Sequence, residues 1–250
     1  VTGASSGLGK GCALALAREG AQVIIASRNG EKLNAAKAEI EGETGRKVIP
    51  IVTDVSDREA IDHLFKEIRK HTDQIYGLVC NAGGPPLGSF KSLSEEDWYK
   101  AFETNLMSVV RLVKGCLELM GKEGGRIVAI ASSAVKVPID GLILSNTMRS
   151  GVQSLMKTLS RELGKDQILV NTVCPGMIYT ERLESIHSEK AKVKGITMAE
   201  VNEEEMKKIP LGRFGTPEEF GQVVAYLLSP ANTYITGSTI MVDGGLVNAL

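Results

Sequence analysis

Residues 2–9 of the chain read Thr2-Gly3-Ala4-Ser5-Ser6-Gly7-Leu8-Gly9, and this stretch decides the fold. Its glycines at positions 3, 7 and 9 allow a tight turn and let the backbone approach an anion without an intervening Cβ atom. The next residues, 10–20, predict a helix whose first amides and positive dipole end point at the same place. The stretch therefore predicts a cradle for the phosphates of a dinucleotide, with a plain glycine-rich loop as the alternative.

The composition predicts a globular protein whose core is filled by aliphatic side chains. Of the 250 residues, 43% are hydrophobic but only 4% are aromatic. The 29 basic and 30 acidic residues give a net charge of −1 without a block of like charge, which argues against nucleic-acid and membrane-surface partners. The sequence shows neither an apolar run of membrane-spanning length nor a signal-peptide pattern. We therefore expect a cytoplasmic protein.

The cysteines lie far apart in the sequence, at Cys12, Cys80, Cys116 and Cys174. None belongs to a Cys-x-x-Cys pair, and none has a histidine nearby in sequence. This pattern favours small buried hydrophobic side chains in a reducing compartment over disulfides or metal ligands. No metal site is predicted.

Short apolar runs alternate with amphipathic stretches along the chain. Strands are predicted at residues 22–27, 48–52, 76–80, 126–131, 169–174 and 239–242, with Val1 as the end of a strand before the glycine turn. Helices are predicted at 31–43, 58–72, 95–120, 146–164 and 217–228, in addition to 10–20. Strands that are apolar at nearly every residue must be covered on both faces. The sequence therefore predicts a single α/β domain over residues 1–250, with a doubly wound parallel sheet of seven strands flanked by helices.

Residues 181–209 interrupt this alternation. They are rich in charge, have weak helical periodicity and follow the strand predicted at 169–174. Long excursions beside a site often form lids or substrate pockets, so a lid is one interpretation and a solvated surface excursion is the other.

The residues after the second strand bear on the choice of nucleotide. In dinucleotide-binding sheets a carboxylate at this place accepts hydrogen bonds from the ribose 2′-hydroxyl, whereas an arginine binds a 2′-phosphate. Here the chain reads Ser27-Arg28-Asn29, without a carboxylate. Because a guanidinium suits bidentate phosphate contact, NADP(H) is favoured over NAD(H). A solvated loop charge is the alternative for Arg28.

Two further motifs follow predicted strands. Asp54-Val55 follows the third strand, and Asp54 could accept from an adenine amino group or cap the helix that begins near Arg58. The run Asn81-Ala82-Gly83-Gly84 follows the fourth strand, where small residues let the backbone pass close to a ribose or simply form a turn. Ligands of such sheets bind at the carboxyl ends of the strands, and each of these motifs falls there.

Together these residues resemble the short-chain dehydrogenase/reductase family over essentially the whole chain. The glycine motif, Asp54-Val55 and Asn81–Gly83 match family motifs, as do Asn105, Pro175-Gly176, Thr236-Gly237 and the run from Val242 to Gly245. The resemblance implies a Rossmann fold and a homotetramer or homodimer. It also implies that the cofactor is held by Gly3, Ser5, Ser6, Gly7, Leu8, Gly9, Ser27, Arg28, Asp54, Val55, Asn81, Ala82, Gly83, Pro175 and Gly176, and by Ile178 and Thr180 near the nicotinamide amide or the phosphates.

The catalytic pattern of the family is broken in this chain. The family uses a Ser that binds the substrate oxygen, a Tyr that protonates it, and a Lys that lowers the Tyr pKa and holds the ribose. Ser132 matches the Ser, but 13 residues further on stands Ser145, and four beyond that stands Arg149. No shift of register restores the pattern, since the sequence has no tyrosine between Tyr99 and Tyr179.

Part of the chemistry survives these changes. Arg149 can donate to ribose hydroxyls and supply positive charge, but a guanidinium stays protonated and cannot shuttle protons. Ser132 and Ser145 could hold a carbonyl oxygen or a water, and Asn105 could hold a water of a proton relay. Tyr179, Asp140 and His187 are weaker candidates for a replacement proton donor. The favoured interpretation of Tyr179 is a wall of the pocket. Asp140 is favoured as part of a turn before Gly141, and His187 as a residue of a solvated lid.

Two functions follow from these residues. The favoured one is an NADP(H)-preferring oxidoreductase with an atypical proton route, acting on a carbonyl or alcohol, like a 3-oxoacyl reductase or a sugar or alcohol dehydrogenase by resemblance. The alternative is a catalytically silent dinucleotide-binding sensor or partner subunit.

Overall fold

The fold has a parallel β-sheet between two layers of helices, and a computed structural model describes it for residues 1–249. Its strands are β1 (Val23–Ser27), β2 (Val48–Val52), β3 (Gly77–Cys80), β4 (Gly125–Ile130), β5 (Ile168–Pro175) and β6 (Thr239–Val242). Its α-helices are α1 (Gly7–Arg18), α2 (Gly30–Thr44), α3 (Arg58–Ile68), α4 (Glu95–Phe102), α5 (Ser108–Leu117), α6 (Ile143–Glu162), α7 (Glu181–Lys194), α8 (Met198–Met206) and α9 (Pro217–Leu228). None of the helices described is long and apolar enough to cross a membrane.

All strand pairs are parallel, in the orders β1-β2 and β3-β4-β5-β6. The first residues of the chain join the two groups: the Thr2 amide donates to Val79 O at 3.1 Å, and the Ala26 amide donates to Val1 O at 2.9 Å. The chain therefore winds outward from Thr2 in both directions, which confirms the doubly wound fold. The described residues form six strands instead of the predicted seven, because the residues before the glycine turn make only an isolated bridge between Thr2 and Ala26.

Helices cover both faces of the sheet. Side chains alternate between faces along a strand, and in β3 Leu78 and Cys80 pack with α3, α5 and α6, whereas Val79 packs with α1 and α9. A third cluster places α2 on the β1–β2 end of the sheet, against Val23 and Val48. The cysteines lie inside these layers, as predicted, and burial raises the pKa of the Cys12 thiol to about 12.

Two predicted elements differ in the structure. The single helix predicted at 95–120 is α4 and α5 joined by a π-helical turn, Glu103–Met107, which contains Asn105. Such turns widen a helix locally and occur often at functional sites. Residues 181–209 form two capped helices, in which Thr180 caps α7 and a capping box of Thr197 and Glu200 begins α8.

Candidate active site

The glycine turn packs directly against the end of β3. Gly3 has a φ of 58°, and its carbonyl accepts from Asn81 Nδ2 at 3.1 Å. A Cβ atom at Gly9 would lie 2.2 Å from Gly3 O and 2.8 Å from Asn81 Nδ2, so no other residue fits there without moving the turn. The Ser6 side chain makes no capping hydrogen bond to α1. The first amides of α1 therefore have no side-chain cap, and the binding of an anion there stays a prediction.

The predicted adenosine residues lie together beside this turn. Ser27 Oγ is 2.9 Å from Ser5 Oγ, and Arg28 Nη1 is 4.0 Å from Asp54 Oδ2. The Arg28 side chain is 72% exposed, so its guanidinium can still turn toward a ligand. The interpretation of Asp54 as a helix cap is wrong, because Asp57 caps α3. Asp54 accepts instead from the amide and hydroxyl of Ser56, at 2.9 Å and 2.7 Å, which fixes one carboxylate oxygen.

The residues after β5 reach back over the glycine turn. The Gly176 amide donates to Val242 O at 2.9 Å, and Ile178 is buried beside Gly215. The methyl carbon of Thr180 would lie 3.4 Å from a Cβ atom at Gly7. Thr180 therefore lies at the same cradle as α1, although it is distant from the glycine motif in the sequence. The structure thus brings two of the predicted cofactor segments together.

Arg149 lies inside the protein at the ends of β3 and β4. It is only 6% exposed, and its guanidinium donates to Ile130 O at 2.7 Å and to Ala82 O at 3.1 Å. Burial lowers its pKa to about 10, so the group remains a cation near neutral pH. The sequence predicts ribose hydroxyls as its acceptors, but two backbone carbonyls already take part of its donor capacity. A guanidinium has five N–H donors, so others remain for a ligand.

The other three predicted catalytic side chains differ in how they are held. Ser132 Oγ accepts from the Ala134 amide at 3.1 Å, which leaves its hydroxyl proton for another acceptor. Ser145 is half-buried in the first turn of α6. Asn105 is 1% exposed, and its Oδ1 has no hydrogen-bond partner among the described residues. A buried acceptor in that state is normally paired with water, which suits a relay.

The three replacement acids are not in positions that favour acid catalysis. Tyr179 is exposed, stacks on Phe214 and donates to Glu184 at 2.6 Å, a hydrogen bond that raises its pKa and weakens it as an acid. Asp140 is exposed in the turn before Gly141, as predicted. The prediction of a solvated His187 is wrong: it is 3% exposed, with Nδ1 2.6 Å from Asn202 Oδ1, because α8 packs over α7.

One residue at the site is missed by the sequence analysis. Arg182, in the first turn of α7, donates to Pro85 O at 2.8 Å and would touch a Cβ atom at Gly84. Nearby, Glu181 pairs with Lys32 of α2 at 3.1 Å. The start of residues 181–209 is therefore tied to both sides of the cleft, which fits a lid better than a detached excursion. No local pattern marks Arg182, since its contact is with a loop 97 residues earlier.

Comparison with known proteins agrees with this geometry. A profile of the family described as "Enoyl-(Acyl carrier protein) reductase" matches residues 3–247. The 3-oxoacyl-(acyl-carrier-protein) reductase FabG of Thermotoga maritima is 36% identical over 248 residues, which is 99% of this chain and 96% of that protein. The chain therefore belongs to the short-chain dehydrogenase/reductase family of oxidoreductases, as its motifs predict.

Solved structures give the same result. L-sorbose reductase from Gluconobacter frateurii, in complex with NADPH and L-sorbose, aligns with a TM-score of 0.95 at 30% identity, covering 100% of this chain and 96% of that one. YwfH, an NADPH-dependent reductase involved in bacilysin biosynthesis, aligns with a TM-score of 0.94 at 29% identity, covering 100% of this chain and 98% of that one.

Proposed function

We propose that the chain is an NADP(H)-preferring oxidoreductase that acts on a small carbonyl or alcohol with an altered proton route. The observation that carries the proposal is the cradle: Gly3 and Gly9 fit only as glycines, and the amides of the first turn of α1 are not capped by Ser6. These close contacts hold the glycine turn against the end of β3, and the uncapped amides of α1 that follow it can then donate to a diphosphate. The relatives that bind NADPH support the choice of nucleotide.

The nucleotide preference rests on Arg28. No carboxylate follows β1 to accept from a ribose 2′-hydroxyl, whereas Arg28 is exposed and Asp54 holds it only loosely, at 4.0 Å. A dianionic 2′-phosphate would displace that weak contact. Asp54, whose other oxygen is fixed by Ser56, would then be turned to the adenine amino group.

The bound nicotinamide would supply the hydride, and the residues of the chain would orient the substrate and handle the proton. Ser132 would donate its hydroxyl proton in a hydrogen bond to the substrate oxygen. Arg149 would hold the ribose hydroxyls with its remaining donors and add positive charge close to the developing alkoxide. Asn105 would hold a water at the widened turn of the helix, and Ser145 could hold a second one. Without a positioned acid we expect a rate about 10²–10⁴ lower than with one.

A catalytically silent nucleotide-binding subunit is the second candidate. The observation that favours it is that serine and arginine stand where the family has its catalytic tyrosine and lysine, and that Arg149 donates to backbone carbonyls. Both candidates share the cofactor site, and a homodimer or homotetramer remains a prediction for either. A turnover assay separates the two candidates. The protein is incubated with NADP(H) and a panel of aldehydes, ketones, alcohols and sugars, and the absorbance of the reduced nicotinamide is followed. Any turnover supports the enzyme, and binding without turnover supports the silent subunit.

Replacement of Arg28 is expected to remove the nucleotide preference. Because a charge-assisted contact to the 2′-phosphate is lost, Arg28→Ala should weaken NADPH binding by about tenfold and leave NADH binding nearly unchanged. Isothermal titration with each nucleotide measures both affinities. Arg161→Ala, which removes an exposed arginine near the end of α6, is the matched control and should alter neither. Equal affinities of the unmodified protein for NADPH and NADH would contradict the assignment of Arg28.

A further inference from the structure

Two guanidinium groups converge on the loop that follows β3. Arg149 donates to Ala82 O at 3.1 Å, and Arg182 donates to Pro85 O at 2.8 Å. They come from different elements, α6 and the first turn of α7, yet their acceptors are three residues apart. The two groups are close enough for the charge of Arg182 to disfavour the protonated form of Arg149 and contribute to its lowered pKa.

Neither guanidinium has an acidic partner in the part of the chain that the structure describes. The carboxylates that flank Arg182 are used elsewhere, since Glu181 pairs with Lys32 and Glu184 accepts from Tyr179. No Asp or Glu oxygen of residues 1–249 lies within 4.0 Å of Arg149 or Arg182, and each donates only to neutral carbonyls. Four other arginines, Arg18, Arg69, Arg111 and Arg213, each contact a glutamate.

This arrangement is unfavourable for the protein alone. Two like charges face one loop, one of them buried, and partial burial also lowers the pKa of Arg182. Arg182 lies in the first turn of α7, where the helix dipole disfavours a cation. An anion bound between the loop and α7 would interact favourably with both guanidinium groups and with the N-terminus of α7. The buried Arg149 would contribute positive charge without touching the ligand, whereas Arg182 is exposed enough to contact it.

The position of Arg182 indicates which anion this is. Thr180 marks the diphosphate cradle, because it lies against Gly7, and Arg28 lies at the end of β1. Arg182 instead lies against Gly84 and Pro85, beyond the residues assigned to the ribose. Gly84 has no side chain, and a Cβ atom there would lie 3.2 Å from Arg182 Nη2, so the small residue keeps the guanidinium accessible from this side. Gly84 and Pro85 follow Asn81–Gly83, the residues assigned to the ribose, along the chain.

We propose that the substrate carries a carboxylate and that Arg182 binds it, so that the chain acts on oxo acids or the corresponding hydroxy acids. The inference rests on the proposed function, since it assumes that the substrate lies beside the end of β3. It makes Arg182 a specificity-determining residue of the lid. A bound carboxylate would also stabilise the closed position of the lid, because it would join α7 to the loop after β3.

The test compares acids with their uncharged esters. Pyruvate, acetoacetate and 4-oxopentanoate are each assayed with NADPH against their methyl esters, using the unmodified protein, Arg182→Gln, Arg182→Lys and the control Arg161→Gln. We expect kcat/KM to favour the acid of the preferred pair by about tenfold or more. Arg182→Gln should abolish most of that ratio and Arg182→Lys should keep part of it. Arg161→Gln should leave it unchanged.

Binding measurements separate this inference from the proposed function. NADPH affinity is titrated for each variant, and butyrate and butyramide, which carry no ketone, are titrated into each protein with NADP⁺ present. Butyrate binding that depends on Arg182 supports the carboxylate site even if no compound is turned over. An unchanged acid-to-ester ratio in Arg182→Gln, or butyrate binding that is absent or indifferent to that substitution, overturns it. Weakened NADPH binding with an unchanged ratio also overturns it and assigns Arg182 to the cofactor diphosphate.

Discussion

The Ser145→Tyr/Arg149→Lys variant is expected to reduce carbonyl substrates about 10²–10⁴ times faster than the unmodified protein, because it restores a positioned general acid. Residues 145 and 149 are one turn apart on α6, so the new side chains lie on the same helix face. The ammonium group introduced at position 149 has three donors and can keep the contact with Ile130 O that the guanidinium makes now. Its charge would lower the phenol pKa toward the working pH.

The control for this experiment is Ser145→Phe/Arg149→Lys. It adds the same ring without the hydroxyl, so any gain that comes from packing alone would be present in both variants. Initial rates with NADPH and the best compound of the panel provide the comparison. If the tyrosine variant binds NADPH as before and gains no rate over the phenylalanine variant, the site differs from its family by more than two side chains.

The Gly9→Ala variant is expected to lose both stability and nucleotide binding. The added methyl carbon would lie 2.2 Å from Gly3 O, so the turn and α1 must move apart. Overpacking of this kind costs about 3 kcal/mol of the free energy of unfolding. Displacement of the cradle should weaken NADPH binding by about a hundredfold or more, equal to about 2.7 kcal/mol.

Gly42→Ala provides a matched substitution in a helix. Nothing lies within 4 Å of a Cβ atom at Gly42 in α2, so this change should raise the free energy of unfolding by about 0.5–1 kcal/mol and leave NADPH binding unchanged. Denaturant unfolding and nucleotide titration measure both quantities for the two variants. Equal behaviour of Gly9→Ala and Gly42→Ala would show that Gly9 is not needed for a close approach.

Most of the fold could be predicted because its signals are local. The strands 48–52 and 239–242 and the helix 217–228 have the predicted bounds, since each is a continuous apolar or amphipathic run with clear end signals. The π-helical turn at Glu103–Met107 could not be predicted, because its residues have ordinary helical periodicity. The burial of His187 depends on α8 and Phe214, which no local pattern brings to it.

The residues of the candidate site also fall into those that the sequence could predict and those that it could not. The glycine turn and the position of Arg28 after β1 could be predicted from local sequence, and their binding roles stay predictions. Arg182 could not, because its role depends on how α7 folds back over the loop after β3. The pairing of Arg149 with two carbonyls is similarly a consequence of where α6 meets the ends of two strands.

A crystal structure grown with saturating NADPH tests the central claim most directly, namely that the diphosphate of a dinucleotide lies against the first turn of α1. We expect its phosphate oxygens within hydrogen-bond distance of the amides that follow Ser6, and the 2′-phosphate in contact with Arg28. A structure in which NADPH binds elsewhere, or in which main chain occupies the space between Gly7 and Thr180, would contradict it.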